Sequence, residues 1–257
     1  VIWEKSVDGN LDKVTVNKNG YVSAIVTGTT YKSVIITYDE KGNELFKTYL
    51  SKTIAVDACV SPDNAEFAYA EVNNSGTTIQ SNIKIISIKD VKEKNTEPKY
   101  EYNAVQGSLI LRIKYQDKSR LICMYDDSIH KFETGVDVEL TKLNEDNPKI
   151  TFADIELNNY VFRTYEKSTS LFSADTIIEM QNTSNGKENV YTIEEVAKSV
   201  VSNNNVIAVN LGNEVYFVET NAWLIKRYSS SQVIEKIILG DGVAGIIYSD
   251  KIEIVNL

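Results

Sequence analysis

His130 is the only histidine in this chain of 257 residues. It sits among acids and a hydroxyl in Asp126-Asp-Ser-Ile-His130-Lys-Phe132. An imidazole can activate a serine when it takes the hydroxyl proton and a carboxylate orients it. No G-x-S-x-G elbow accompanies His130, and the preferred reading is a solvent-facing strand histidine beside acidic neighbours. Paired carboxylates offer a second chemistry, glycoside hydrolysis. Asp57, Asp154 and Glu156 are the candidates, and nothing in their spacing marks an acid/base pair. One histidine and two separated cysteines, Cys59 and Cys123, are too few for tetrahedral zinc. Asp8-Gly-Asn-Leu-Asp12 and Asp126-Asp127 are too sparse for a calcium loop. There is no Walker or G-x-G-x-x-G loop. The expectation is therefore no catalytic, cofactor-binding or metal residues, and no cofactor.

The elements that would position any such group are strands. Six- to nine-residue runs rich in β-branched and aromatic residues recur along the chain, and no long 3.6-residue period appears. The helix-like piece Tyr191–Lys198 is short and reads equally as strand. The runs group into fours, at a spacing of roughly 40 residues, the period of a four-stranded propeller blade. The clearest pair of matching segments is Asp39-Glu-Lys-Gly42-Asn-Glu-Leu45 with Glu219-Thr-Asn-Ala222-Trp-Leu224. The sixth group, Gln232–Leu257, holds three strands. Val1–Val7 is expected to supply its fourth and to close a ring, so that no sheet edge stays open. The fold expected is an all-β, six-bladed β-propeller spanning 1–257 as one domain, with seven blades as the alternative count. A β-sandwich would not explain why the two chain ends complement each other. Asp57, Asp154 and Glu156 then fall on innermost strands, where carboxylates often face a water-filled axial channel.

Composition bounds the partners. The net charge of -9 and the interleaving of basic with acidic residues argue against nucleic acid and against direct docking on an anionic membrane. No apolar run approaches the ~20 residues needed to span a bilayer. The start on Val1 suggests a segment removed upstream. Cys59 and Cys123 lie in apolar strands and are read as buried free thiols. The 15 tyrosines are read as packing between blades, and Trp3 and Trp223 as packing at the edges of outer strands. The polar stretch Lys89–Pro98 is expected to be a surface loop.

Two turns carry a resemblance. Ser61-Pro-Asp-Asn-Ala-Glu-Phe-Ala-Tyr69 resembles the S-P-D-G-x-x-x-A-Y signature of WD-repeat-like propellers, with Asn64 in place of the usual Gly. Asp39-Glu-Lys-Gly42-Asn-Glu-Leu45-Phe46 is similar to the D-x-x-G-x-x-L-W element of quinoprotein-like propellers. The whole chain, rich in Asn, Ile, Lys and Tyr, resembles a family of uncharacterised bacterial proteins in which an N-terminal transmembrane helix carries an extracytoplasmic propeller-like domain. That resemblance implies a location and an architecture without an activity. The expected function is a non-enzymatic, extracytoplasmic propeller, held to the cell membrane only by an anchor upstream of Val1. Its expected partner is a protein or a cell-envelope component. The alternatives are a carbohydrate-active hydrolase using channel carboxylates and a sensor domain for a small ligand.

Overall fold

The computed structural model describes residues 2–92, 97–145 and 148–257. The chain forms two compact units, Val1–Thr141 and Lys142–Leu257. In the first unit, the first sheet runs in the order β1 (Asn10–Val16), β2 (Val22–Thr27), β3 (Ser33–Tyr38), β4 (Glu44–Leu50). The second holds β5 (Ile54–Val60), β6 (Glu66–Asn73), β7 (Gln80–Ser87) and β8 (Tyr100–Asn103), with the short helix α1 (Ile88–Lys92) after β7. The third holds β9 (Ile110–Tyr115), β10 (Arg120–Tyr125), β11 (Ser128–Glu133) and β12 (Val136–Lys142).

In the second unit, one sheet holds β13 (Ile150–Asp154), β14 (Tyr160–Ser168), β15 (Ala174–Asn182) and β16 (Glu188–Ile193). The next holds β17 (Ser199–Asn203), β18 (Val206–Asn210), β19 (Glu214–Glu219) and β20 (Leu224–Ser229). The last has three strands, β21 (Lys236–Leu239), β22 (Val243–Ile247) and β23 (Ile252–Asn256). Strands consecutive in the chain pair antiparallel within each sheet. The grouping into fours is thus observed. Of the helix-like piece Tyr191–Lys198, residues 191–193 belong to β16 and the rest is neither helix nor strand. The stretch expected as a loop from Lys89 lies partly in α1, and its residues 93–96 fall outside the described residues.

Alternation explains the layering. The middle strands β2, β3 and β6 are buried almost throughout, because both their faces meet protein. The core clusters combine residues of successive sheets. Phe67 of β6 packs with Ile25, Ile35 and Phe46 of the first sheet, and Phe217 of β19 packs with Ile237 and Ile246 of the last. The tyrosines Tyr69, Tyr115, Tyr125 and Tyr248 are buried in this way.

A hydroxyl at the start of a third strand recurs as a tie to the following sheet. Ser33 Oγ accepts the Ala55 N–H at 3.0 Å. Ser81 Oγ accepts the Ile110 N–H at 3.3 Å and donates to Ser108 O at 2.9 Å. Thr176 Oγ1 accepts the Ala197 N–H at 2.8 Å and donates to Glu195 O at 2.7 Å. Each tie satisfies backbone groups that would otherwise be buried unpaired.

The expected closing strand does not form. Residues 2–7 take part in no strand, and β21–β23 remains a sheet of three. Trp3 has a better seat on the first sheet. Its ring lies on the Gly42 turn, where a Cβ on Gly42 would come 2.7 Å from Trp3 Cδ2. Its Nε1 donates to Glu40 O at 3.2 Å, and it packs against Tyr38 at 5.7 Å. Val7 joins Trp3 against the face formed by Ala24, Val26, Val34 and Ile36. Trp3 is therefore no outer-strand residue. Trp223, immediately before β20, is 69% exposed.

Candidate functional site

The carboxylates come first, because a hydrolase would need them. Asp57 on β5 is buried and fully engaged. One oxygen meets Lys13 Nζ of β1 at 2.9 Å and the Ala58 N–H at 2.9 Å, and the other accepts the Ile113 N–H of β9 at 2.9 Å. It ties three sheets together where their first strands run side by side. Asp154 on β13 repeats the design. Oδ1 accepts the Ile155 N–H at 2.8 Å, and Oδ2 accepts from Ser202 Oγ of β17 at 2.9 Å. Glu156 follows β13 and is likewise engaged. A carboxylate whose oxygens are held by fixed N–H and O–H donors is a poor general acid or base.

His130 is only partly solvent-facing. Its side chain is 17% exposed, between Tyr125 at 5.0 Å and Phe132 at 6.2 Å. The sequence expectation placed it in solvent, and the alternation of β11 instead directs it onto these two rings. Its Nδ1 lies 2.7 Å from Asp137 Oδ1 and its Nε2 lies 3.1 Å from Ser128 Oγ. These are the residue types of a catalytic triad, yet the proton order differs. Ser128 Oγ donates to Asp127 Oδ1 at 2.7 Å. The hydroxyl has one proton, and the nearer carboxylate takes it. The Ser128 proton is thus directed away from Nε2, the reverse of what activation by a general base requires. Ser108 Oγ donates to the second oxygen of Asp127 at 3.0 Å, extending the network into the sheet.

Cys59 and Cys123 are free. Burial pushes the Cys123 thiol well above its ordinary range and raises Cys59 as well, so neither offers a ready thiolate. Among the described residues, no group of three or more His, Cys, Asp or Glu converges to hold a metal ion.

A groove of about 360 Å³ lies on the first sheet. Its floor is aliphatic, from Val26, Val34 and Ile36. One wall is the extended, unpaired segment Lys5–Asp8. The other carries Tyr31 and Tyr49, whose rings sit 4.8 Å apart. Both charge signs reach the rim. Lys47 Nζ lies 3.0 Å from Glu44 Oε2, and this contact raises the Lys47 ammonium above its ordinary range. Lys5 has no ion-pair partner among the described residues. The apolar floor continues onto Val14, which pairs with Ala24, and Val16, which pairs with Val22; both are more than half exposed. No spacing in the sequence announces this groove. It is assembled by a segment that pairs with nothing and a sheet face that lies beneath it.

The two turns that carried a resemblance are formed as expected. Asn64 has φ 60° and closes on Ser61 O at 3.0 Å. Ser61 Oγ donates to Asp63 Oδ1 at 2.7 Å and accepts the Glu66 N–H at 2.9 Å. In the second turn, Gly42 has φ 79° and Ala222 has φ 64°, and each N–H reaches the carbonyl three residues before it, Asp39 O and Glu219 O. The two segments matched in the sequence are thus the same turn.

Solved structures of similar fold are β-propellers. The β-propeller domain of the Trilobed protease from Pyrococcus furiosus, described as having an open velcro topology, is 11% identical, with a TM-score of 0.57 over 95% of this chain and 82% of that one. Kluyveromyces lactis Hsv2p is 11% identical, with a TM-score of 0.58 over 96% of this chain and 74% of that one. The C-terminal WD40 domain of Sif2 is 10% identical, with a TM-score of 0.50 over 96% and 81% of the two chains. At these identities the likeness is one of fold. A search of curated proteins finds no match to this sequence. The sequence profile that does match spans residues 1–257 without interruption, and the chain belongs to the family described as a family of unknown function, DUF5711.

Proposed function

We propose that this protein is a non-enzymatic β-propeller binding domain, one domain over 1–257, whose partner is a protein or cell-envelope component bound through an extended segment. The observation that carries this reading is the groove over the first sheet. Its volume falls in the range of ~300–1,000 Å³ usual for ligand sites. Residues 5–8 already lie along one side of the groove, which supports a chain segment as its occupant. Val26, Val34 and Ile36 at its base are buried with Val7 packed against their cluster, so an incoming segment would meet Val7 and the rim. It would stack an aromatic on Tyr31 and Tyr49, and meet Lys5 or Glu44 with its charges. The engagement of Asp57, Asp154 and His130 supports the non-enzymatic part.

The extracytoplasmic, membrane-tethered location rests on the chain's resemblance to bacterial proteins of that architecture. No helix among the described residues is long and apolar enough to cross a membrane, and the proposed tether lies upstream of Val1. The three-stranded last sheet and the unpaired segment 2–7 support an open velcro, the arrangement described for the Pyrococcus furiosus domain.

The groove is tested with a displayed library of unstructured peptides. Selection should enrich peptides with spaced aliphatic and aromatic residues. Their affinity should fall about tenfold or more in a Tyr31→Ala/Tyr49→Ala variant, the loss of an aromatic contact worth ~1.4 kcal/mol. Enriched peptides indifferent to both tyrosines would overturn the groove. Release of reducing ends from envelope polysaccharides, abolished by Asp57→Asn, would instead establish the hydrolase.

A further inference from the structure

Gly42 lacks a side chain for a reason that its turn does not supply. The matching turn keeps the same conformation with Ala222 in that position, at φ 64° against 79°. What a Cβ on Gly42 would meet is the Trp3 ring, at 2.7 Å. The turn is also held without Trp3. Asp39 Oδ1 accepts the Lys41 and Asn43 N–H groups at 2.9 and 2.8 Å, and Oδ2 accepts from Asn43 Nδ2 at 2.9 Å. Asp39 O accepts the Gly42 N–H at 3.0 Å. The bare glycine and the Glu40 carbonyl therefore form a seat for one aromatic ring that can donate an N–H.

The segment that fills this seat is held by little else. Residues 2–7 belong to no strand, and only Trp3 and Val7 among them are even partly buried. A segment with so few buried contacts opens at low cost. Trp3 and Val7 stand four residues apart, and both pack on the cluster of Ala24, Val26, Val34 and Ile36. Val7 lines the groove, and so does Tyr38, the ring against which Trp3 packs. Seat and groove are thus one continuous surface within the first unit, and an occupant of the groove meets this strap before it meets the base.

We propose that residues 2–7 are a displaceable strap that holds the place of a partner protein's segment, and that this segment carries an aromatic side chain followed four residues on by an aliphatic one. The proposal rests on the groove reading above and adds the partner's pattern and the control of access. The pattern follows Trp3 and Val7, because the seat takes a ring and the cluster takes an aliphatic group at that separation. A tryptophan in the partner also recovers the bond to Glu40 O. Strap and partner compete, so each weakens the other by the same factor. A second copy of the chain is the poorer source. Its segment must leave an identical seat and lose the contacts that the exchange regains, while the strap in place has an effective concentration on the order of mM.

The probe is a fluorescein-labelled synthetic peptide of residues 1–8, Val1-Ile-Trp-Glu-Lys-Ser-Val-Asp8, read by fluorescence anisotropy as the intact chain is titrated in. The variant Trp3→Ala/Val7→Ser frees the seat through substitutions outside every sheet, and should bind the peptide about tenfold or more tighter than the wild type does. Trp3→Ala alone should show part of that gain, and circular dichroism should match the wild type in both. Adding Gly42→Ala to the freed variant should abolish the gain, since a Cβ then stands where the ring would lie. A peptide with Ala in place of its tryptophan should bind no variant. Equal binding to wild type and freed variants overturns the proposal, as does binding that survives Gly42→Ala or loss of the peptide's tryptophan. The two readings fail separately. Selected library peptides indifferent to Tyr31 and Tyr49 sink the groove even while the strap peptide finds its seat. A strap peptide that ignores the freed seat sinks the strap even while selected peptides still need both tyrosines.

Discussion

Asp57 shows how a residue that could do chemistry becomes part of the scaffold. It accepts two backbone N–H groups and pairs with Lys13 while only 2% exposed. Removing one member of a buried pair leaves the other charge and the donors unsatisfied. Asp57→Ala should therefore cost about 2–4 kcal/mol, read as a lower midpoint in urea with an unchanged slope. A cost below ~0.5 kcal/mol would mean that solvent replaces all three contacts. In the sequence, Asp57 was visible as a carboxylate on an inner strand. Its partners were not, because Lys13 and Ile113 lie 44 and 56 positions away and only the stacking of β1, β5 and β9 brings them together. Ser33, Ser81 and Thr176 were less legible still. Each reads as an ordinary polar residue in a strand, and its role exists only where the next sheet arrives.

At the scale of elements, the two matched turns provide an internal comparison. Ala222 occupies the position of Gly42 at φ 64°, so the backbone there tolerates a Cβ. The added burden at Gly42 is the Trp3 ring. Gly42→Ala should displace Trp3 and residues 2–7, costing ~1–3 kcal/mol as overpacking does. The double variant Trp3→Ala/Gly42→Ala should cost less than the sum of the two singles, a coupling of at least ~0.5 kcal/mol in a double-mutant cycle. Additivity would mean that the ring is not seated there. Ala222→Gly should be neutral to stabilising by up to ~1 kcal/mol. The strands and these turns were legible because alternation and turn chemistry are local. The segment 2–7 was misread for the same reason: its residues alternate like a strand, but pairing needs a neighbour, and Trp3 found a packing site first.

At the scale of the chain, the family match spans residues 1–257 and the fold resembles that of β-propellers. Its stability should depend on acid through a turn carboxylate in the first unit, Asp39, and a strand carboxylate in the second, Glu253 of β23. Asp39 is held below the ordinary carboxylate range chiefly by the Asn43 side chain and then by backbone N–H groups. Glu253 is lowered by Lys251 and then by Tyr228. A lowered folded pKa means stability that is present above the ordinary range and lost as pH falls through the folded value. The melting temperature should therefore stay level from about pH 7 to 5 and fall below about pH 4. Asp39→Asn should shallow that acid limb, and a limb of unchanged steepness would remove Asp39 as a contributor.

The Trp3 seat has a mechanical consequence. Residues 2–7 cross the first sheet without a single strand pairing and are fastened by one indole ring, its Nε1 bond to Glu40 O and Val7. Force applied to the N-terminus therefore reaches that fastening before any ladder of hydrogen bonds is loaded. Pulled from this end, the chain should yield first in a small, low-force extension of a few residues that leaves every sheet intact. The first sheet shears only after that. The N-terminal segment acts as a slack absorber in series with the fold.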